Sequence, residues 1–98
     1  METYELYPRY DRRKSFYGKA HEIEYADGTI ELQSYSTIVA RIVVTKTDRF
    51  GCIFRKAEVY GWYSQTTGRH IKEFLKQHGF KAENKSQILK DYYKEEEE

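Results

Sequence analysis

Between positions 64 and 70 stand Ser64, Thr66, Thr67 and His70, the residue types from which a nucleophile and its base are assembled. Arg69 lies among them, and Thr66-Thr67-Gly68-Arg69 at the start of a helix would offer free amide donors and a cation to a phosphate. Hydroxyl residues just ahead of an apolar helical stripe are also ordinary helix caps. Capping is the reading this pattern favours, ahead of a phosphate site, and well ahead of a small hydrolase or nucleotide-handling enzyme built on Ser64, Thr67, Arg69 and His70.

The three histidines invite a metal, but His21 falls on a predicted strand, and His70 and His78 are separated by slightly more than two helical turns, about 12 Å of rise. Cys52 is the lone cysteine and reads as a small, half-exposed filler, so no metal and no cofactor is assigned. The compositional oddity is ten tyrosines in 98 residues. Tyrosine offers a rigid contact area with a polar handle, which suits an exposed binding surface. Near the amino end, Arg9-Tyr10-Asp11-Arg12-Arg13-Lys14-Ser15-Phe16-Tyr17 interleaves cations with rings. Single-stranded nucleic acid is held by that combination, with rings on bases and cations along the backbone. A protein contact patch uses the same types, because Tyr and Arg are enriched at hot spots. The two readings stay open at this point.

Elements to position these residues follow from periodicity. Residues 1–14 show no sustained period and read as an extended arm. From residue 19 the chain alternates, and Ala26-Asp27-Gly28-Thr29 predicts a hairpin with a two-residue type I′ connection. That register pairs Tyr25 with Ile30 and Ile23 with Leu32 on a core face, leaves Glu22, Glu24, Glu31 and Gln33 wet, and calls for Arg41 as a cation beside Glu24 and Glu31. Residues 36–46 read as a central strand with Ile38, Ala40, Ile42 and Val44 on one face and Val39, Arg41 and Val43 on the other. Residues 53–63 carry one or two more strands, with Gly61 marking a bulge or a close approach. Ile71, Phe74, Leu75 and His78 then recur at helical spacing, and Gly79 ends that helix. Asn84 or Ser86 caps a second, shorter one. The predicted architecture is α+β: a curled antiparallel sheet of about four to five strands over 19–63, a packed amphipathic helix over 66–78, a short helix over 86–94 and an acidic tail over 95–98, all in one domain.

Length and charge bound the function further. A chain this short has one modest core, so function is expected on a face. Seventeen basic and sixteen acidic residues nearly cancel, which argues against the uniformly basic field of a duplex-DNA binder. The acidic tail reads as a solvated end, with a phosphate mimic as the sharper alternative. The opening residues carry no apolar run and no window reaches the length of a membrane span, so a cytoplasmic protein is expected.

Three stretches bring a family into view: Lys14-Ser15-Phe16-Tyr17-Gly18-Lys19-Ala20, then Leu32-Gln33-Ser34-Tyr35-Ser36-Thr37, then the long run from Gly61-Trp62-Tyr63-Ser64 through Thr67-Gly68-Arg69-His70 to Glu73-Phe74-Leu75. Across residues 14–80 the chain resembles a small domain-of-unknown-function family carried by phages, plasmids and conjugative elements of Gram-positive bacteria. The resemblance carries no catalytic residue. It implies a protein that binds host machinery, in the manner of inhibitors of CRISPR effectors and other defence complexes. The expectation is therefore a non-enzymatic binding protein of a mobile genetic element, occupying a host protein or nucleoprotein through Tyr10, Arg12, Arg13, Phe16, Tyr17 and Tyr35. The alternative is sequence-tolerant binding of single-stranded nucleic acid.

Overall fold

The computed structural model describes residues 1–95; residues 96–98, most of the expected acidic tail, lie outside the described residues. Five strands form an open antiparallel sheet in sequence order, β1 (Glu2–Glu5), β2 (Ala20–Glu24), β3 (Ile30–Ser34), β4 (Thr37–Thr47) and β5 (Ile53–Val59). Helix α1 (Gln65–Gln77) and the shorter α2 (Lys85–Tyr92) follow. The α+β class expected from periodicity is the class observed, and the first residues of the arm add a strand to it. Glu2 to Glu5 pair with Glu24 to His21 along the sheet edge. The carboxylates there, Glu2 opposite Glu24, repel one another and also discourage a second chain from adding to that edge.

The β2–β3 hairpin is one residue out of the expected register. Its loop holds three residues, not two, because Tyr25 pairs back to Thr29 and Gly28 alone takes a left-handed φ of 92°. The side chain of Asp27 accepts the Thr29 amide at 2.9 Å and fixes the turn. A slip of one position exchanges the faces of β2: Glu22 now sits opposite Leu32 on the helix side, while Ile23 and Tyr25 lie on the other. Tyr25, expected in the core, is exposed and bonds Glu31. Glu22 is rescued by α1, whose His78 Nε2 lies 2.5 Å from its carboxylate. Arg41 does stand opposite Glu31, as required of it, although its hydrogen bond goes to Glu58.

In β4 the pairing shifts between Leu32 and Gln33, leaving Val39 as the extra residue. The bulge resets the alternation, so Val39 joins Ala40 and Ile42 in the core and Ile38 does not. Onto this face α1 lays Ile71, Phe74 and Leu75, all fully buried with Leu32 and Val59. Each contributes roughly 1.5 to 3 kcal/mol before chain entropy is subtracted. Ser64 caps the helix by accepting the Thr67 amide, and the Phe80 amide returns to the Leu75 carbonyl past Gly79 to close its other end. Asn84 caps α2 at Gln87, and Ile88 seals the far side of the core.

The chain beyond α2 is locked to β5. Tyr93 bridges Val59, and the Lys94 amide donates to the Val59 carbonyl. Beneath it Glu58, whose side chain is 3 % exposed, accepts Arg41 Nε at 2.6 Å and Lys94 Nζ at 3.1 Å, with Lys56 at 3.4 Å. Burial alone would push this carboxyl up, but the bonds from Arg41 and Lys94 outweigh it and hold the group below its ordinary value. A carboxyl depressed on folding adds stability above its unfolded value, and that stability disappears as pH falls through the folded one. Glu58→Gln should therefore lower stability in urea denaturation by about 1 to 3 kcal/mol near neutral pH, and its deficit against the wild type should shrink below about pH 4.5.

Candidate binding face

The arm between β1 and β2 is not free. Its attachment is Glu73, a carboxylate on α1 that is buried beneath it. Glu73 Oε1 accepts the amides of Tyr10 and Asp11 at 2.9 and 3.0 Å. Its other oxygen accepts Gln77 Nε2, which also donates to the Tyr7 carbonyl at 2.7 Å. A buried charge is tolerable only when its lone pairs are met in this way. Apolar anchors hold the two ends of the arm, Leu6 and Phe16. Phe16, expected on the contact face, is 4 % exposed and packs edge-on against His70, with ring centroids 4.6 Å apart. It lacks the polar tip that lets its tyrosine neighbours stay wet, so it serves as an anchor and not as part of a contact surface. Nothing in the local pattern marked Glu73, because a glutamate within a helix reads as solvated unless the segment that covers it is known.

His70 is sealed as well. Its Nδ1 shares a 2.8 Å hydrogen bond with Ser34 Oγ, which is 3.0 Å from Thr67 Oγ1. Among the described residues Nε2 has no hydrogen-bond partner. Thus the hydroxyl beside His70 comes from Ser34 on β3, while Ser64 is occupied as the helix cap. Ser34, Thr67 and His70 are all buried, and Phe16 packs against the imidazole. Burial pushes the imidazole below its ordinary value, against a smaller upward pull from Asp11. The three histidines go separate ways: His78 binds Glu22, His21 sits on β2, and no cluster of three metal-ligating side chains occurs among the described residues.

What remains exposed is a ring of tyrosine and cation around the N-terminal half of α1. Tyr17, Tyr35 and Tyr63 are 75, 51 and 60 % exposed, and each holds a left-handed backbone, with φ of 54°, 57° and 56°. Tyr17 and Tyr35 flank a recess of about 240 Å³ floored by Phe16 and His70 and rimmed by Arg13, Lys19 and Arg69. Tyr63 lines a neighbouring open groove of about 810 Å³ with Tyr10 and Trp62. Arg12, Arg69, Lys72 and Lys85 bring four cations to its walls. The acid there is Asp11, already engaged by Arg69 Nη1 at 3.4 Å and by the Arg13 amide at 2.9 Å. Arg69 borders both cavities, which joins them into one face. The glycines position the walls. A Cβ on Gly68 would fall 2.3 Å from the Trp62 indole; β5 ends at Val59, so Gly61 lies beyond the strand expected over 53–63, and a Cβ there would fall 3.1 Å from the ring of Tyr63 two residues on, not from another segment. Of the six residues expected at the contact face, Tyr10, Arg12, Arg13, Tyr17 and Tyr35 reach it; Phe16 does not. Tyr63, Arg69, Lys72 and Lys85 join them, brought there by the docked arm and the turn after β5.

The fold and this face define a small α+β domain with an exposed aromatic and basic surface on one side of its principal helix. The chain belongs to a family of unknown function, DUF8033, which it matches over residues 4–90. No curated protein and no solved structure matches it. Among the described residues no helix is long and apolar enough to cross a membrane.

Two substitutions test the site's supports. Glu73→Ala removes the acceptor of two arm amides, so trypsin should cut at Arg12 or Arg13 at least several-fold faster than in the wild type, with α1 still helical by circular dichroism. For His70, the folded imidazole titrates below its unfolded value near 6.5. The unfolded chain takes up the proton first, so stability should fall as pH drops through that range and stay level above it. His70→Asn should flatten this part of the melting-temperature profile between about pH 7.5 and pH 5.5.

Proposed function

We propose that this protein is a non-enzymatic binding protein that occupies a surface on a host protein or nucleoprotein, using Tyr10, Tyr17, Tyr35 and Tyr63 together with Arg12, Arg13 and Arg69. The observation that carries this reading is the trio of exposed tyrosines at positive φ. A left-handed backbone costs a residue with a side chain roughly 1 to 2 kcal/mol, which glycine would avoid and asparagine would lessen. With 51 to 75 % of each residue in solvent, these side chains return little of that cost as packing within the chain. Strain held at exposed aromatic positions is a mark of a recognition surface, and Tyr and Arg are the residues that dominate such surfaces energetically. The motif resemblance supplies the setting: a phage, plasmid or conjugative element of a Gram-positive host. There the protein acts as a counter-defence inhibitor, with a CRISPR effector as the leading target.

The groove favours a second reading, sequence-tolerant binding of single-stranded nucleic acid. With Asp11 paired to Arg69, the groove keeps three further cations, Arg12, Lys72 and Lys85, beside rings able to stack on bases.

One experiment separates the two. Tagged wild type and the pair Tyr17→Asn and Tyr35→Asn are used to capture partners from a Gram-positive lysate, with and without nuclease. The proposal expects a stoichiometric protein partner that survives nuclease and is lost from the variants, whose melting temperatures stay level or rise as strain is relieved. Capture of no protein, or equal capture by the variants, would overturn it. A nuclease-sensitive partner, with oligonucleotide affinity falling steeply with salt, would establish the second reading instead.

A further inference from the structure

The sheet is not the full extent of β4 and β5. β3 pairs with β4 only as far as Ile42, whereas β4 continues to Thr47 with β5 as its registered neighbour. Residues 43–47 therefore run on for roughly 17 Å as a two-stranded ribbon. From Thr45 to Lys56 every residue except Asp48 is exposed. The ribbon is nonetheless built firmly. A register shift between Val44 and Lys46 leaves Thr45 as a bulge, whose hydroxyl donates to the Phe54 carbonyl. At the tip, Asp48 Oδ1 accepts the amides of Phe50 and Cys52, both at 2.9 Å, and Gly51 takes a φ of 83° to close the loop.

Its charge is one-sided. Over residues 43–57 the cations are Lys46, Arg49, Arg55 and Lys56, and the acid is Asp48, which is committed to the loop amides; at the base of the ribbon Lys56 pairs with Glu58 at 3.4 Å. The cations are spread over both faces and the tip. Lys46 stands opposite Phe54, on the face that also carries Lys56, while Arg55 lies opposite Val44 on the helix side, where it donates to the His78 carbonyl at 3.3 Å. Arg49 is at the turn, its guanidinium 5.1 Å from the ring of Phe50, which is 79 % exposed.

We infer that this ribbon is a second interaction site, one that enters the major groove of B-form duplex DNA, and it is independent of the tyrosine face. An anionic lipid surface is flat and would be met by one face or the tip, leaving cations on the other side without a counterpart. A groove presents phosphates on two walls, which matches cations on both faces of a ribbon. The strands lie about 4.8 Å apart, and with side chains the ribbon fits a major groove about 12 Å wide, which is known to admit two-stranded ribbons. Phe50 then meets the base edges, where an apolar ring suits a thymine methyl. The deep, narrow major groove of A-form RNA excludes such a ribbon.

The test is fluorescence anisotropy of the full chain on a labelled DNA duplex of about two helical turns, titrated over salt concentration. Affinity should fall linearly on a log–log plot, and Lys46→Ala and Arg49→Ala should each reduce the slope by about 0.9. Phe50→Ala should weaken binding without changing the slope. Lys90→Ala, at an exposed position on α2 outside both surfaces, should leave duplex binding as it is. Absence of duplex binding at low salt, an unchanged slope in the Lys46 and Arg49 variants with their fold verified by circular dichroism, equal affinity for duplex RNA, or co-sedimentation with phosphatidylglycerol vesicles in place of DNA would each overturn the inference.

Discussion

The arrangement of this molecule depends on one buried carboxylate. Glu73 could not be buried at low cost without hydrogen-bond donors, and the donors that meet it are the amides of Tyr10 and Asp11 and the amide group of Gln77. Because those amides belong to the arm, satisfying the charge and docking the arm are the same event. The docked arm sets one wall of the large groove, buries Phe16 over His70 and carries Tyr17 to the rim of the recess. Without Glu73, Leu6 and Phe16 would still favour contact with the core, but the register of the segment over α1 would rest on the Gln77 bond to the Tyr7 carbonyl and the Arg69–Asp11 pair alone.

The long motif from Gly61 to Leu75 serves mainly to build that platform. Ser64 caps, Gly68 makes room for Trp62, Thr67 and His70 reach Ser34, Ile71, Phe74 and Leu75 fill the core, and Glu73 holds the arm. Subtracting these leaves Tyr63, Gln65, Thr66, Arg69 and Lys72 with substantial surface. A motif that looked chemical is largely architectural, and its remainder faces outward beside Tyr17 and Tyr35. Those tyrosines occupy turn positions where glycine or asparagine would be easier, so their side chains, not their backbone preferences, account for their presence.

Much of the fold was legible because its signals are local. The stripe of Ile71, Phe74 and Leu75, the Ser64 and Asn84 caps and the Gly79 stop are each decided within one helical turn, and the α+β class followed from them. Errors arose where one residue of offset mattered. Asp27-Gly28 is compatible with two-residue and three-residue loops, and the choice between them moved Glu22 to the helix side and Tyr25 out of the core. The bulge at Val39 is equally invisible to a period of two. The site was half legible. Tyrosine and arginine near the amino end marked the face, but Arg69, Lys72 and Lys85 come to it through tertiary packing, and the burial of Phe16 depends on a helix about sixty residues away.

Net charge was the least informative quantity of all, and the structure shows why. The sum of +1 suggests a nearly neutral surface. Several acids, however, are committed internally or to the backbone: Glu58 to Arg41 and Lys94, Glu73 to the arm, Glu22 to His78, Asp27 and Asp48 to turn amides. Others gather at the sheet edge, where Glu2 faces Glu24. The cations of the groove and of the β4–β5 ribbon keep exposed or, for Lys72, half-buried positions, so both regions are locally basic while the total cancels. Screening confines such fields to within about 10 Å at moderate ionic strength. An approaching partner therefore senses the patch before it and not the sum, and a chain of almost no net charge can present two separate surfaces suited to anionic or aromatic ligands.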